Sequence, residues 1–308
     1  MTGAGPVASA VAVAYGSGLR DLYAALGAAV AAVAPGTAEA AGALSRAPVA
    51  ACPGEAGDRL RSVDAGLLAA VARTACGFEA VPGAAGLPAL IAAQPLAPMF
   101  DPDPAAAPTL ALPTGGQRPD MPAFSDRAFD GWFAATGATY GLGLYGEDRN
   151  VYRSAQFADA ASPERRTIHL GVDIFAPAGT PVRAPLPGRV ARVAYNADPL
   201  DYGHTLILEH RAGDLRFWLL VGHLGASLPD LCREGDRVEP GQTVAHLGDW
   251  HENGGWSPHA HVQIIADRLE QDANFFGVGH ASLWPVWRQI SPDANLILRL
   301  PPGRFTTP

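Results

Sequence analysis

The spacing of hydrophobic residues divides the sequence into two parts of different character. Near the N-terminus, the alanine-rich stretches 18–34 and 62–75 have the composition and apolar spacing of helices. From about Ile168 onward, valine, isoleucine and leucine alternate with polar residues in short runs that turns separate, which is typical of strands. We therefore predict an alanine-rich helical region at residues 1–95 and a mainly β domain at residues 136–303.

The strand-like segments of the second part follow one another without helices between them. Examples are HTLILEH, LRFWLLVGHL and HAHVQIIAD. Five or more short strands in such a series favour an antiparallel sheet, and we predict an antiparallel β-sandwich. Residues 96–135 are predicted to form a proline-rich linker, and residues 126–138, which overlap its end, have the pattern of a short amphipathic helix.

Composition excludes several classes of protein. The formal net charge is −8, which argues against a nucleic-acid partner because phosphate binding requires a basic surface. The three cysteines, Cys52, Cys76 and Cys232, are widely spaced and indicate neither a disulfide framework nor a cysteine zinc site. The N-terminus lacks a basic segment ahead of its short apolar run, and no apolar run of about 18 residues occurs. We therefore expect no membrane span and a cytoplasmic location.

Histidines and one aspartate of the β domain form a candidate metal site. His259 and His261 lie two apart in a strand-like run, so both side chains face the same way. His169 and Asp173 lie four apart, and the backbone must bend at Gly171 for both to reach one ion. With the isolated His223, this set fits a catalytic zinc site, which has three nitrogen or oxygen ligands and one open position.

The set of residues resembles the signature of the lysostaphin-type (LytM-like) zinc metallopeptidases, which is H-x-x-x-D, then a single histidine, then H-x-H. The resemblance implies a zinc ion held by His169, Asp173 and His261. It also implies that His223 and His259 form a catalytic pair that works with zinc-activated water. The implied substrate is a peptide, with glycyl and peptidoglycan-like bonds as candidates.

The resemblance extends over residues 140–301. It is strongest to the peptidase-like segment of longer fusion proteins that also carry a kinase domain and a class III aminotransferase domain. The segments RRTIHLGVDIFAPAGTPVRAP, NGGWSPHAHVQI and SPDANLILRLP carry this likeness. The loop GDWHENGGWSP, which precedes H-x-H, differs from the short Ser/Thr-Gly turn of the cell-wall enzymes.

Alternative functions remain open at this point. One is a zinc amide hydrolase that acts on a small amine metabolite, and another is a non-catalytic LytM-like binding or activator module. A phosphohistidine carrier also uses paired histidines in a similar β fold, but it does not need Asp173 as a ligand. A biotinyl or lipoyl carrier is excluded because the sequence contains no lysine to attach the cofactor. Neither the oligomeric state nor the role of residues 1–95 follows from the sequence.

Overall fold

The computed structural model describes residues 3–153 and 157–305. Its N-terminal part is helical, as the sequence predicts. The helices are α1 (Ala4–Gly16), α2 (Leu22–Val33), α3 (Ala38–Leu44), α4 (Arg46–Ala51), α5 (Gly54–Arg61), α6 (Ala65–Ala75) and α7 (Leu87–Ala92). Side-chain caps fix where the two predicted helices begin: Asp21 accepts hydrogen bonds from the first turn of α2, and Asp64 does so in α6.

The rest of the described chain is rich in strands. The strands are β1 (Thr109–Ala111), β2 (Tyr140–Gly143), β3 (Ile168–His169), β4 (Val172–Phe175), β5 (Pro181–Arg183), β6 (Gly188–Asn196), β7 (Gly203–Ala212), β8 (Leu215–Leu224), β9 (Arg237–Val238), β10 (Thr243–His246), β11 (His259–Ile265) and β12 (Val278–Gly279). Helices α8 (Ala128–Ala135), α9 (Leu228–Leu231), α10 (Trp284–Ile290) and α11 (Asn295–Leu298) connect or follow them, and 3-10 turns lie at Asn150–Arg153 and Pro302–Phe305.

Eight strands form one open sheet in the order β1-β2-β4-β11-β8-β7-β6-β9. All neighbours in it are antiparallel except β1 and β2. The remaining strands form the two-stranded ribbons β10-β5 and β12-β3. The predicted antiparallel character is therefore confirmed, but the sandwich is not, because strands of two to four residues are too short to build a second layer.

Both faces of the central strands are covered. Alternate residues of β7 and β8 point to opposite faces. Leu206 and Leu219 belong to one buried cluster, which includes β4 and β10, whereas Ile207 and Leu220 pack with the helical region in another. Full burial of each such side chain contributes about 1.5–3 kcal/mol. The helical region and the sheet thus share a hydrophobic core.

The proline-rich segment also packs closely on the β region. The backbone amide of Ala97 donates to the carbonyl of Pro185, and the amide of Arg183 donates to the carbonyl of Met99. Phe100 is fully buried. In the described part of the chain, every helix falls short of the length and hydrophobicity that crossing a bilayer requires.

Candidate metal centre

The register of three strands brings the candidate ligands together. Strand β11 lies between β4 and β8, and His261 is paired with Asp173 on one side and Gly222 on the other. His169 ends β3, and the chain bends at Leu170 and Gly171 before β4 begins, as the spacing predicts.

The three implied ligands lie within hydrogen-bonding distance of one another. Nε2 of His169 lies 3.0 Å from Nδ1 of His261, and Oδ1 of Asp173 lies 3.2 Å from each of these nitrogens. All three side chains are buried. Tetrahedral coordination with bonds of 2.0–2.1 Å separates ligand atoms by about 3.3–3.4 Å, so the triangle needs to open only slightly to hold zinc.

Outer hydrogen bonds determine which nitrogen of each ligand histidine carries the proton. Nδ1 of His169 lies 2.8 Å from the carbonyl oxygen of Leu144, which can only accept, so this nitrogen donates. Nε2 of His261 lies 2.8 Å from Oε1 of Gln263. The Gln263 amide nitrogen donates to Phe276 O, which fixes the amide with its oxygen toward His261, so Nε2 of His261 donates too.

The neutral tautomers leave three acceptor atoms facing one another without a proton between them. These are Nε2 of His169, Nδ1 of His261 and the ionised Oδ1 of Asp173. Lone pairs at such separations repel one another in a buried site, and a cation at their centre removes the repulsion. The donor set therefore fits a metal ion, and the orienting bonds to carbonyl and amide oxygens are those typical of histidine ligands of zinc.

A buried ion pair holds the carboxylate ligand. Arg149 is 2% exposed, and its Nη1 donates to Oδ2 of Asp173 at 2.7 Å while its Nε donates to Glu147 at 3.0 Å. Burial alone would raise the pKa of Asp173, but the facing His169 and Arg149 more than offset it and hold this pKa well below its usual range. Since Oδ2 is engaged by Arg149, only Oδ1 points to the centre.

Two glycines allow this close packing. A Cβ atom on Gly171 would lie 2.6 Å from Cε1 of His261, and one on Gly143 would lie 2.6 Å from Oδ2 of Asp173. Neither backbone has room for a larger residue while the ligands keep their positions.

His223 and His259 lie beside the ligands, with their ring centroids 4.2 Å apart. Each donates from Nδ1 to a backbone carbonyl: His223 to Asn253 at 2.8 Å and His259 to Ser257 at 2.7 Å. The neutral rings therefore keep Nε2 unprotonated. His223 has a φ of 62°, a left-handed conformation that costs a non-glycine residue free energy and is common at functional sites.

A cleft of about 570 Å³ opens onto this group. Its wall includes His223 and His261, together with Tyr202 and Trp256. Tyr202 is buried, and its hydroxyl has no hydrogen-bond partner among the described residues. The histidine group is thus accessible to a substrate from one side.

The other histidines lie outside this group. His204 stacks on Tyr195, and Nδ1 of His210 donates to the carbonyl of Pro187. His280 packs between Tyr23 and Trp287, and His246 belongs to β10. His251 is exposed, with 75% of its side chain accessible. These histidines therefore occupy structural or exposed positions.

Sequence reasoning missed the residues that orient the ligands. Gln263 follows His261 by two positions on β11, so strand alternation would have placed it on the same face. Arg149 carries no comparable signal, since its segment GEDR reads as an ordinary charged turn. The carbonyls of Leu144, Asn253 and Ser257 cannot be recognised from residue type at all.

We expect the metal-free protein to lose stability as the pH falls below about 6.5. Burial lowers the pKa of His169 and His259 to about 4. Between these values the unfolded state binds more protons than the folded state. The free energy of unfolding should therefore fall with pH by about 1.4 kcal/mol per unit for each histidine that stays neutral.

Thermal melts between pH 7 and pH 5 in the presence of a chelator test this expectation. A melting temperature that stays constant over this range would contradict it.

The sequence and the structure also match known proteins over part of their length. Residues 167–273 match the model of Peptidase family M23. No curated protein sequence matches the chain significantly.

Several solved structures are similar to part of the chain. One is a zinc-containing peptidase from Vibrio cholerae, at 26% identity over 33% of this chain and 31% of that chain, with a TM-score of 0.27. The chain thus spans about a third of that peptidase. Another is a catalytic domain of the prophage-encoded M23 protein EnpA from Enterococcus faecalis. It is 27% identical over 34% of this chain and 74% of that chain, with a TM-score of 0.26.

The third is the catalytic domain of the antimicrobial peptidase lysostaphin from Staphylococcus simulans. It is 22% identical over 39% of this chain and 80% of that chain, with a TM-score of 0.27. The relationship to kinase–aminotransferase fusion proteins is not shown by these matches. Residues 167–273 are thus similar to the domain of Peptidase family M23.

Proposed function

We propose that the protein is a zinc-dependent metallo-endopeptidase that hydrolyses a peptide bond, with glycyl and peptidoglycan-like bonds as the candidate substrates. The observation that carries the proposal is the convergence of three buried acceptor atoms, from His169, Asp173 and His261, on one point beside a cleft. The M23 match over residues 167–273 supports it. Zinc supplies Lewis acidity toward a carbonyl oxygen and lowers the pKa of a coordinated water.

The histidine pair would move the protons of the reaction. Burial, followed by the charge of His259, holds the pKa of His223 well below its ordinary value, and burial lowers that of His259 to about 4. Both rings are therefore neutral near pH 7, with Nε2 able to accept a proton. One ring would act as the base toward water, and the other would stabilise the developing oxyanion and serve the leaving amine once protonated.

Nothing in the geometry favours the alternatives over this proposal. A non-catalytic module would need none of the five positions, yet all of them are present and close together. A phosphohistidine carrier has no use for a buried carboxylate between two histidine nitrogens.

We expect His223→Ala to lose hydrolysis while it keeps zinc. Removing a positioned general base or acid lowers kcat by about 10²- to 10⁴-fold, and His223 makes none of the three ligand contacts. The measurement is kcat on glycine-rich and peptidoglycan-derived peptides, alongside zinc content.

The exposed His251→Ala variant is the matched control and should keep both activity and zinc. Loss of zinc from His223→Ala would contradict the assigned role, since it would make His223 a ligand.

A further inference from the structure

One loop supplies both carbonyls that orient the histidine pair. Nδ1 of His223 donates to the carbonyl of Asn253, and Nδ1 of His259 donates to that of Ser257. Both carbonyls belong to the segment 248–258, which is the loop that departs from the cell-wall enzymes in sequence. The direction of these two carbonyls decides whether each ring keeps its proton on Nδ1 and its lone pair on Nε2.

The middle of this loop is braced from within. The Asn253 side chain donates to the carbonyls of Gly248 and Trp256 and accepts from the Trp256 amide. Asn253 is fully buried. These bonds fix the shape of the loop, but they do not tie it to the rest of the protein.

Backbone hydrogen bonds tie the loop to the rest of the protein, since the carbonyls of Glu252 and Gly254 accept from the amides of His204 and Leu200. One carboxylate on α8 binds the loop at two further points. Oδ2 of Asp130 accepts from the indole nitrogen of Trp250 at 2.7 Å, and Oδ1 accepts from the Ser257 hydroxyl at 2.6 Å. Trp250 and Ser257 are 7% and 3% exposed, so both bonds end on buried partners. The guanidinium of Arg127, just before α8, lies 5.0 Å over the Trp250 ring and strengthens the same contact.

The α8 segment also supports the ring of His259 indirectly, through Phe175. Phe175 stacks on His259 with ring centroids 4.6 Å apart. Phe124 and Phe129, which flank the start of α8, pack on Phe175 at 4.6 and 5.2 Å. The amide of Ser257 donates to the carbonyl of Phe124. Phe124 and Phe129 lie N-terminal to the M23 match, which begins at residue 167.

We infer that Asp130 is a positioning residue for the histidine pair, because it clamps the loop whose carbonyls hold His223 and His259 with unprotonated Nε2 atoms. The inference rests on the proposed function for its catalytic consequence, but the effect on the tautomers stands by itself. It gives the α8 segment a defined role in the site: a carboxylate that touches no reacting atom keeps both proton-transfer groups oriented.

Asp130→Ala tests this inference directly. Nitrogen-15 NMR of histidine-labelled protein reports the tautomer of each ring, and the spectra of His223→Ala and His259→Ala assign the two signals. We expect both rings to be in the Nδ1–H form in the wild type, and we expect Asp130→Ala to shift a measurable fraction of them to the Nε2–H form. Asp130→Asn keeps the shape but not the charge, so it should shift a smaller fraction.

The kinetic readout separates positioning from general damage. We expect Asp130→Ala to lower kcat about 10- to 100-fold, as a displacement of about 1 Å does, with KM within about twofold and zinc content unchanged. In a His259→Ala background the same substitution should cost much less, because one of the groups it orients is already gone.

Asp120→Ala is the matched control. Asp120 also accepts an indole hydrogen bond, from Trp132 of α8 at 3.0 Å, and among the described residues no hydrogen bond links it to the loop. Unchanged tautomers in Asp130→Ala, an equal effect in Asp120→Ala, or full additivity with His259→Ala would overturn the inference. If the wild type hydrolyses no peptide, the tautomer measurement still decides the inference, and only the proposed function fails.

Discussion

Asp173→Ala should lose zinc almost completely. Binding free energies of zinc sites with four protein ligands amount to about 10–16 kcal/mol, or roughly 3 kcal/mol for each ligand. Loss of one ligand should therefore weaken binding by about a hundredfold or more, as measured by competition with a chromogenic chelator. The variant also deprives the buried Arg149 guanidinium of one of its two carboxylate partners, which should cost about 3–5 kcal/mol of folding free energy.

Asp173→Asn separates these two effects. The amide keeps the size of the carboxylate and still offers Arg149 an oxygen, so the loss of stability should be smaller. Zinc affinity should nevertheless fall strongly because the ligand loses its charge. Wild-type zinc affinity in both variants would contradict the ligand role of Asp173.

Arg149→Met should impair both the fold and the metal site. The substitution leaves the carboxylates of Asp173 and Glu147 without their buried cation, and breaking such a pair costs about 3–5 kcal/mol. Oδ2 of Asp173 also becomes free to rotate toward the metal position. We expect zinc affinity to fall by about 10- to 100-fold, which is the usual effect of losing an outer hydrogen bond to a ligand.

Urea unfolding and chelator competition measure these two consequences. Cobalt-substituted protein adds a third readout, since a change in the coordination by Asp173 alters the visible absorption spectrum. Arg61→Met is the control: Arg61 pairs with Asp58 on the surface, so its loss should change stability by less than about 1 kcal/mol. An Arg149→Met protein with unchanged stability and zinc affinity would show that the ion pair supports neither.

The sequence was informative wherever chemistry depends on residue type and spacing. Alternation on β11 correctly placed His259 and His261 on one face, and the need for a bend at Gly171 was recognised from the distance between His169 and Asp173. The N-terminal helices were predicted because alanine-rich composition and apolar spacing are local signals. The grouping of the five site residues follows from pairings between strands, which the motif anticipated and the strand register explains.

What the sequence could not give is contact between distant segments. Asp130 lies 127 residues before Ser257, and Arg149 lies 24 before Asp173, with no pattern that links either pair. The predicted sandwich is not confirmed, and strand-like patterning does not reveal that β5 and β10 form a separate two-stranded ribbon. The shared core between helices and sheet is equally invisible, since apolar positions show burial but not the partner that covers them.

The central claim is that His169, Asp173 and His261 hold one zinc ion. Plasma mass spectrometry of the purified wild type, beside His261→Ala and the exposed-site control His251→Ala, tests it most directly. A catalytic zinc site with three protein ligands predicts about one zinc per chain in the wild type and in His251→Ala, and almost none in His261→Ala. A folded wild type that binds no zinc even when zinc is supplied, or a His261→Ala variant that keeps it, would contradict the claim.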